Sequence, residues 1–260
     1  MFLQQILDYK KIKIEEDKKR VPSDELFRQI DQANKPINVS ERLLSEEMGI
    51  IAEVKKASPS KGLIKKDFDP LEIALEYEKN NAAAISVLTE DKFFQGKNEY
   101  LQKIKKAVTI PVLRKDFIID PYQIIESRAL RADIILLIAA ILTEKEIIEF
   151  SRIAKDLDLQ ILMEIHEESE IERVLKGEPD IIGINNRDLR SFYTDIKNTE
   201  ALIKLLPKNK TIISESGIDT KEDMNYLKNI GVKGVLIGES LMRADSITEK
   251  MQELKSYDRD

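Results

Sequence analysis

Charged side chains directly follow apolar runs at several places in this sequence. In "IIAEVKKASPSKG", residues 50–62, a strand-like run leads into Glu53 and Lys55, and in "PVLRKDF" another leads into Lys115. Three further runs end in the same way, in Glu164, in Asn185 with Arg187, and in Glu215 with Ser216. Carboxylate and ammonium groups that share a site away from water shift each other's pKa values and suit proton transfer. These residue types therefore predict acid–base chemistry.

Any one of these charges, taken alone, is better interpreted as a solvated loop residue. The pattern gains weight because five of the eight predicted strands end in it. In a closed parallel barrel, the C-terminal ends of all the strands meet at one mouth. We therefore expect these charges to face one another there.

Short runs rich in Ile, Val and Leu alternate with longer amphipathic segments from residue 49 onward. Their nearly continuous apolar character is typical of parallel strands that are covered on both faces. Several amphipathic segments begin with Asp-Pro, Thr or Asn, which are signals for a helix N-terminus. Eight strand–helix units over about 210 residues predict a (β/α)8 TIM barrel. The predicted strands are 50–54, 83–87, 112–113, 134–138, 161–163, 181–184, 211–213 and 234–237.

A doubly wound open sheet is the alternative fold. That fold would place a glycine-rich phosphate loop of the type G-x-G-x-x-G after its first strand, and "KKASPSKG" does not match it. The strand count therefore favours the barrel.

Residues 1–48 stand apart from the repeating pattern, so we predict an N-terminal helical extension (1–48) packed on a catalytic barrel (49–260). Helical periodicity predicts helices over 3–19 and 23–32, and a frayed tail is the alternative. One side of the first helix is predicted to carry an apolar stripe, formed by Leu3, Ile6, Leu7, Tyr9 and Ile12.

Composition excludes several classes of function. The formal charge of −6 and the lack of a basic stripe argue against a nucleic-acid partner. The absence of cysteine excludes disulfides and Cys-ligated metals, and the single histidine, His166, cannot anchor a multi-His metal site. We find neither a signal peptide nor an apolar run long enough to span a membrane, so we expect a cytoplasmic protein without a membrane partner.

Glycines after the last two predicted strands suggest a phosphate site. Gly217 in "SESGI" and Gly238 in "LIGES" follow strands 7 and 8, where barrels often bind phosphate through backbone N–H groups. The hydroxyl groups of Ser58, Ser60 or Ser240 are candidate additional donors. A glycine after a strand is more often only part of a turn. The prediction therefore depends on the fact that these glycines follow the last two strands of the strand–helix series.

The sequence closely resembles the indole-3-glycerol phosphate synthase family. The resemblance extends over essentially the whole chain and rests on nine ordered motifs, among them "IIAEVKKASPSKG", "ISVLTEDKFFQG", "PVLRKDFIID", "LMEIH", "IGINNRDL", "SESGI" and "VLIGESLM". It implies closure and decarboxylation of 1-(2-carboxyphenylamino)-1-deoxyribulose 5-phosphate, with release of CO2 and water, by a (β/α)8 barrel without metal or cofactor.

The same resemblance implies roles for the charged residues. Lys115 would be the general acid on the substrate's ketone oxygen, and Glu164 the base or proton shuttle of the dehydration. Lys55 would hold the substrate carboxylate. The remaining catalytic candidates would orient these groups or lie beside them; they are Glu53, Asn185, Glu215 and Ser216.

Binding roles follow from the resemblance as well. Phe94 and Phe117 would flank the aromatic ring, with Leu137 and Leu236 beneath it, and Arg187 would add positive charge at the mouth. The phosphate site would be formed by Ser58, Gly217, Gly238 and, through its backbone N–H, Glu239. Ala57 stands where some relatives carry a third basic residue, so the loop lacks that cation. His166 is expected to have a rim or hydrogen-bonding role.

Two other functions remain open at this point. A lysine at a strand end would suit a Schiff-base aldolase, and a catalytically silent barrel would only bind anionic metabolites or a pathway partner. We expect a small anionic sugar phosphate as the binding partner and a monomer or weak homodimer as the oligomeric state.

Overall fold

The computed structural model describes residues 2–45, 47–188 and 191–258. Eight strands form a closed barrel in which each strand pairs in parallel with both of its neighbours. This confirms the predicted (β/α)8 fold. The strands are β1 (Gly49–Val54), β2 (Ala84–Leu88), β3 (Val112–Lys115), β4 (Ile134–Ile138), β5 (Gln160–Ile165), β6 (Ile181–Asn185), β7 (Thr211–Glu215) and β8 (Gly234–Ile237).

Three helices precede the barrel and the others alternate with its strands. The first three are α1 (Phe2–Arg20), α2 (Ser23–Asp31) and α3 (Val39–Ser45). The later ones are α4 (Pro70–Lys79), α5 (Asn98–Ala107), α6 (Pro121–Ala129), α7 (Glu144–Asp156), α8 (Ile171–Lys176), α9 (Lys197–Ile203), α10 (Lys221–Asn229), α11 (Glu239–Arg243) and α12 (Ile247–Lys255). No helix in the described ranges is both long and apolar enough to cross a membrane.

Local sequence explains where the helices begin. Asp69 accepts hydrogen bonds from two backbone N–H groups of α4 and precedes a proline at the first helical position. Thr143 and Thr220 start α7 and α10 with reciprocal capping boxes. A short antiparallel hairpin pairs Ala57–Ser58 with Gly62–Leu63 in the loop after β1.

Side chains alternate between two apolar layers along each strand. On β4, Ile134, Leu136 and Ile138 belong to the cluster inside the barrel, whereas Ile135 and Leu137 belong to the cluster between strands and helices. The prediction that Leu137 lies beneath the substrate ring is therefore wrong, because its side chain faces the outer helices. Its neighbours Leu136 and Ile138 line the mouth instead.

The N-terminal helices reach both ends of the barrel. Phe2, Leu3 and Ile6 of α1 line the cavity at the mouth, α2 packs on α6, and α3 lies at the base against β1. The buried side of α1 consists of Ile6, Lys10, Ile14 and Asp17. Ile12 is 63% exposed, so this part of the predicted stripe is wrong. The helices expected over 3–19 and 23–32 correspond to α1 and α2, whereas α3 was not predicted.

Leu43 of α3 fills the base of the barrel. A Cβ added to Gly49 would lie 2.7 Å from Leu43 Cδ2, and one added to Gly234 would lie 2.9 Å from it. These glycines therefore leave the space that the leucine occupies. Nearby, the buried Asp133 carboxylate accepts hydrogen bonds from the backbone N–H groups of residues 37 and 112 and pairs with Lys105 at 2.5 Å.

Candidate active site at the barrel mouth

A cavity of about 620 Å³ opens at the C-terminal ends of the strands. Its lining combines charged strand ends, loop residues and the first residues of α1. Of the residues predicted to be catalytic or to bind the substrate, only Leu137 does not line it. The predicted residues that line the cavity are Glu53, Lys55, Ser58, Phe94, Lys115, Phe117, Glu164, Asn185, Arg187, Glu215, Ser216, Gly217, Leu236, Gly238 and Glu239.

Lys115, at the end of β3, lies between two carboxylates. Its Nζ is 2.8 Å from Glu215 Oε2 and 3.1 Å from Glu164 Oε2, and all three side chains are buried or nearly so. Burial alone would lower the pKa of Lys115, but the charges of Glu215 and Glu164 outweigh it and raise that pKa above its usual value. Lys115 is therefore protonated at neutral pH.

The two carboxylates around Lys115 differ in protonation. Burial acts against ionisation of Glu164, but Lys115 and His166 lower the pKa of Glu164 below its ordinary value. Burial, together with the negative charge of Glu164, raises the pKa of Glu215 to about 7 even though Lys115 opposes the shift. The site therefore holds an ionised carboxylate and one that changes protonation near neutrality, which suits proton transfer in both directions.

Gly183 on β6 gives Glu215 its space, because a Cβ there would collide with Glu215 Oε1. That oxygen is buried and has no hydrogen-bond partner among the described residues. The sequence analysis missed Gly183. The available signal was an inward-facing glycine two residues before Asn185 on the same strand.

Glu53 and Lys55 form a second pair at the end of β1. Glu53 Oε1 lies 2.6 Å from Lys55 Nζ, and both side chains are largely buried. A Cβ on Gly238 would collide with Glu53 Oε1 and lie 3.0 Å from Lys55 Nζ. Gly238 therefore makes room for this ion pair, a role that the phosphate-site prediction did not include.

An apolar wall faces the charged groups. The rings of Phe94 and Phe117 have centroids 6.0 Å apart, and Leu236 lines the same cavity. The loop that carries Phe94 is ordered by Glu90, whose wholly buried carboxylate accepts three backbone N–H hydrogen bonds, from residues 92, 93 and 94. Burial raises the pKa of Glu90 despite these bonds. Glu90 is another residue that the sequence analysis missed.

The predicted phosphate site is formed by residues that follow β1, β7 and β8. Ser216 and Gly217 both have positive φ, 69° and 74°, so the chain turns sharply after β7. Ser58 is buried, and its hydroxyl has no hydrogen-bond partner in the described parts of the chain. Glu239 contacts Arg187 through its side chain, at 3.4 Å.

His166 lies behind Glu164 and does not line the cavity. Its Nε2 is 3.5 Å from Glu164 Oε1, and neither ring nitrogen makes a hydrogen bond within the described ranges. Its contact with Glu164 is electrostatic, and its predicted rim role stays a prediction.

Buried and surface contacts attach α1 to the mouth. Lys10 Nζ lies 2.8 Å from Asp116 Oδ1, and these side chains are only 7% and 1% exposed. Tyr9 donates a hydrogen bond to Asp91, and Lys18 pairs with Asp120. Because Asp116 directly follows Lys115, the helix is tied to the strand that carries the central lysine.

Comparisons with known proteins agree with this geometry. A family model described as "Indole-3-glycerol phosphate synthase" matches residues 3–254. The chain is 55% identical over 257 residues to an indole-3-glycerol phosphate synthase of Alkaliphilus metalliredigens, with 98% of each chain covered. It is 49% identical over 259 residues to that of Acetivibrio thermocellus, covering 98% of this chain and 100% of the relative.

Solved structures show the same fold at low identity. The 3-hexulose-6-phosphate synthase of Salmonella typhimurium matches with a TM-score of 0.65 and 13% identity, covering 80% of this chain and 96% of that chain. One chain of a tryptophan synthase complex from Pyrococcus furiosus matches with a TM-score of 0.60 and 13% identity. The match covers 81% of this chain and 98% of that chain. These likenesses concern the fold alone.

Proposed function

Because the chain belongs to the indole-3-glycerol phosphate synthase family, we propose that its barrel mouth converts 1-(2-carboxyphenylamino)-1-deoxyribulose 5-phosphate to indole-3-glycerol phosphate. The reaction closes a ring and releases CO2 and water, and it belongs to tryptophan biosynthesis. The observation that carries the proposal is the buried group of Lys115, Glu164 and Glu215, since ring closure and dehydration both require proton transfer.

The lining of the cavity suits the three parts of this substrate. The aromatic ring fits the wall of Phe94 and Phe117. The carboxylate and the phosphate need positive charge in a protein whose formal charge is −6, and Lys55 and Arg187 supply it.

Lys115 is the general acid of ring closure in this proposal. It donates a proton to the ketone oxygen as the ring carbon that bears the carboxylate attacks the carbonyl carbon. The new carbon–carbon bond forms, the ketone becomes a hydroxyl group, and loss of CO2 restores aromaticity. The raised pKa of Lys115 keeps the ammonium form available at neutral pH.

Glu164 and Glu215 serve the dehydration. The ionised Glu164 accepts the proton that is lost as the double bond of the indole ring forms. Protonated Glu215, 2.8 Å from Lys115, resupplies the lysine or protonates the departing hydroxyl. Glu53 holds Lys55 in position for the substrate carboxylate.

A Schiff-base aldolase is less well supported. Imine formation requires a neutral amine, whereas Lys115 lies between carboxylates that raise its pKa and Lys55 is paired with Glu53. A silent binding barrel would not need a carboxylate with a pKa of about 7 beside a buried lysine.

The direct test is to add the carboxyphenylamino deoxyribulose phosphate and to follow indole fluorescence and CO2 release together. We expect both signals to rise in equal amounts. Borohydride added during turnover should not attach the substrate covalently to the protein. Substrate binding without CO2 release would contradict the proposed reaction, and borohydride trapping would favour the aldolase.

A further inference from the structure

Glu239 lies within a cluster of three cationic side chains. Its Oε1 accepts a hydrogen bond from Arg243 Nε at 3.0 Å and lies 3.7 Å from Lys61 Nζ. Its Oε2 lies 3.4 Å from Arg187 Nη2. The cations come from α11, the hairpin loop after β1 and the segment after β6, so Glu239 is the point where these three parts of the mouth meet.

The Glu239 carboxylate neutralises this cluster. Burial acts against its ionisation, but Lys61, Arg243 and Arg187 together hold the pKa of Glu239 below its ordinary value. The side chains of Glu239 and Arg187 are 24% and 22% exposed, so water screens this pair only partly. Those of Lys61 and Arg243 are 47% and 50% exposed, so water screens their pairs more strongly. An anion that arrives at this corner therefore meets cations that already have an anionic partner.

The same cavity contains a buried hydroxyl that has no partner among the described residues. Ser58 is 4% exposed, and its hydroxyl makes no hydrogen bond within the described residues. Ser58, Arg187 and Glu239 line one cavity. A buried hydroxyl is unfavourable without a hydrogen-bond partner, and an oxygen of a bound phosphate would supply one.

We propose that the Glu239 carboxylate is an internal counterion that competes with the substrate's phosphate for Lys61, Arg187 and Arg243. This inference rests on the proposed function, in which substrate and product both carry a phosphate. The incoming phosphate replaces Glu239 as the partner of the cations, and the Glu239 side chain turns toward solvent. It returns to the cations as the product leaves.

Competition of this kind weakens phosphate binding and speeds its release. Two anions near the same cations repel each other, and the repulsion is strongest where water is partly excluded. In the free enzyme the Glu239 carboxylate offsets the mutual repulsion of the three cations. Glu239 would thus set the affinity for the phosphate group without touching the reacting atoms.

Glu239→Gln tests the inference because it keeps the side-chain shape and removes the charge. We expect the variant to bind inorganic phosphate about threefold to tenfold more tightly by calorimetry, equivalent to about 0.7–1.4 kcal/mol. The KM for the substrate should fall with it, whereas kcat should not rise. The affinity of the variant should also decline more steeply with added KCl, since more uncompensated cation is available.

Glu168→Gln is the matched control. Glu168 is an exposed carboxylate after β5 with no cation contact in the described structure. Its substitution changes the net charge of the protein by the same amount as Glu239→Gln. We expect its phosphate affinity to equal that of the parent. Glu239→Ala, which removes the charge without an amide, should show the same tightening as Glu239→Gln.

Equal or weaker phosphate binding by both Glu239 variants would overturn the inference, because the carboxylate would then organise the cations instead of competing for them. Lack of phosphate binding by the parent and the variants would overturn it as well. Indole formation by the parent, measured on the same preparation, reports separately on the proposed function. Urea midpoints equal to that of the parent show that the variants are folded.

Discussion

The two ends of the barrel differ in the side chains that fill them. At the mouth, Lys115 and its two carboxylates are buried close together, and one Glu215 oxygen has no partner in the described part of the chain. At the base, Leu43 fills the space left by two glycines, and Asp133 has three donors. At the base the buried carboxylate is fully paired, whereas at the mouth Glu215 and Ser58 each keep a buried oxygen without a partner among the described residues.

This difference assigns catalysis mainly to the mouth and stability mainly to the base. Charges at the C-terminal ends of barrel strands are typical of catalysis, and packing at the N-terminal ends is typical of stability. The N-terminal extension belongs to both ends, since α1 lines the mouth and α3 fills the base. Deleting residues 1–40 would remove α1, α2 and the first two residues of α3, and would mix the two effects. Single substitutions distinguish them.

Lys115→Met should have the largest effect on activity. We expect turnover to fall by about two to four orders of magnitude, the usual contribution of a positioned general acid. The variant should remain folded because Glu215, with a pKa of about 7, can take up a proton when the ammonium group is lost. The measurement is single-turnover indole fluorescence together with the urea midpoint.

Lys105→Met is the control from the base, where the lysine pairs with Asp133. It should lower the urea midpoint and leave kcat nearly unchanged. A loss of less than tenfold in turnover for Lys115→Met would mean that Lys115 is not the acid.

Leu43→Ala should have the largest effect on stability. Truncating a fully buried leucine typically lowers the free energy of unfolding by about 2–5 kcal/mol. Leu44→Ala is a control from the next position, where the side chain is 59% exposed and little change is expected. Chemical denaturation measures both variants, and kcat should equal the parent value in each. A loss of kcat in Leu43→Ala at temperatures where it is folded would contradict the separation of the two ends.

Much of this architecture followed from the sequence, and one error was avoidable. All eight strands and the charges at their ends were predicted, because apolar runs and helix caps are local signals. Side chains alternate along a strand, so the inward positions of β4 could have been fixed by continuing from Ile134 to Leu136 and Ile138. That count would have excluded Leu137.

Other features of the site depend on distances that no local pattern contains. Lys10 lies on a charged helix, where a lysine is normally solvated, yet its partner Asp116 directly follows β3, far away in sequence. Glu164 and Glu215 look alike as strand-end carboxylates. Only their different environments lower the pKa of one and raise that of the other.

Lys10→Met should affect the mouth moderately. Removing the ammonium group leaves Asp116 with Arg114 at 3.5 Å and weakens the attachment of α1 over the cavity. We expect KM to rise about tenfold, equivalent to about 1.4 kcal/mol, with a smaller change in kcat. Lys11→Met, on the exposed side of the same helix, is the control and should behave like the parent. If KM is unaltered in Lys10→Met, α1 does not depend on this pair to shape the cavity.

Glu215→Gln should show a different kind of effect, a pH-dependent gain in stability at the catalytic end. The pKa of Glu215 is about 7 in the folded protein, against an ordinary value of 4.5. Between these two pH values the unfolded chain has released this proton and the folded chain has kept it. The parent therefore loses stability as pH rises from about 4.5 to about 7, and the loss stays constant above that range.

Glutamine does not titrate, so the variant lacks this loss. The free energy of unfolding of Glu215→Gln minus that of the parent should increase between pH 4.5 and pH 7 and then level off. Comparing how this difference varies with pH removes any contribution that is independent of pH, such as the loss of one partner for Lys115. Glu168→Gln should show no such rise, and activity should fall only in Glu215→Gln. If the difference in free energy of unfolding does not change between pH 4.5 and pH 7, Glu215 is ionised over that whole range. Burial of this carboxylate at the mouth would then not lower the stability of the protein.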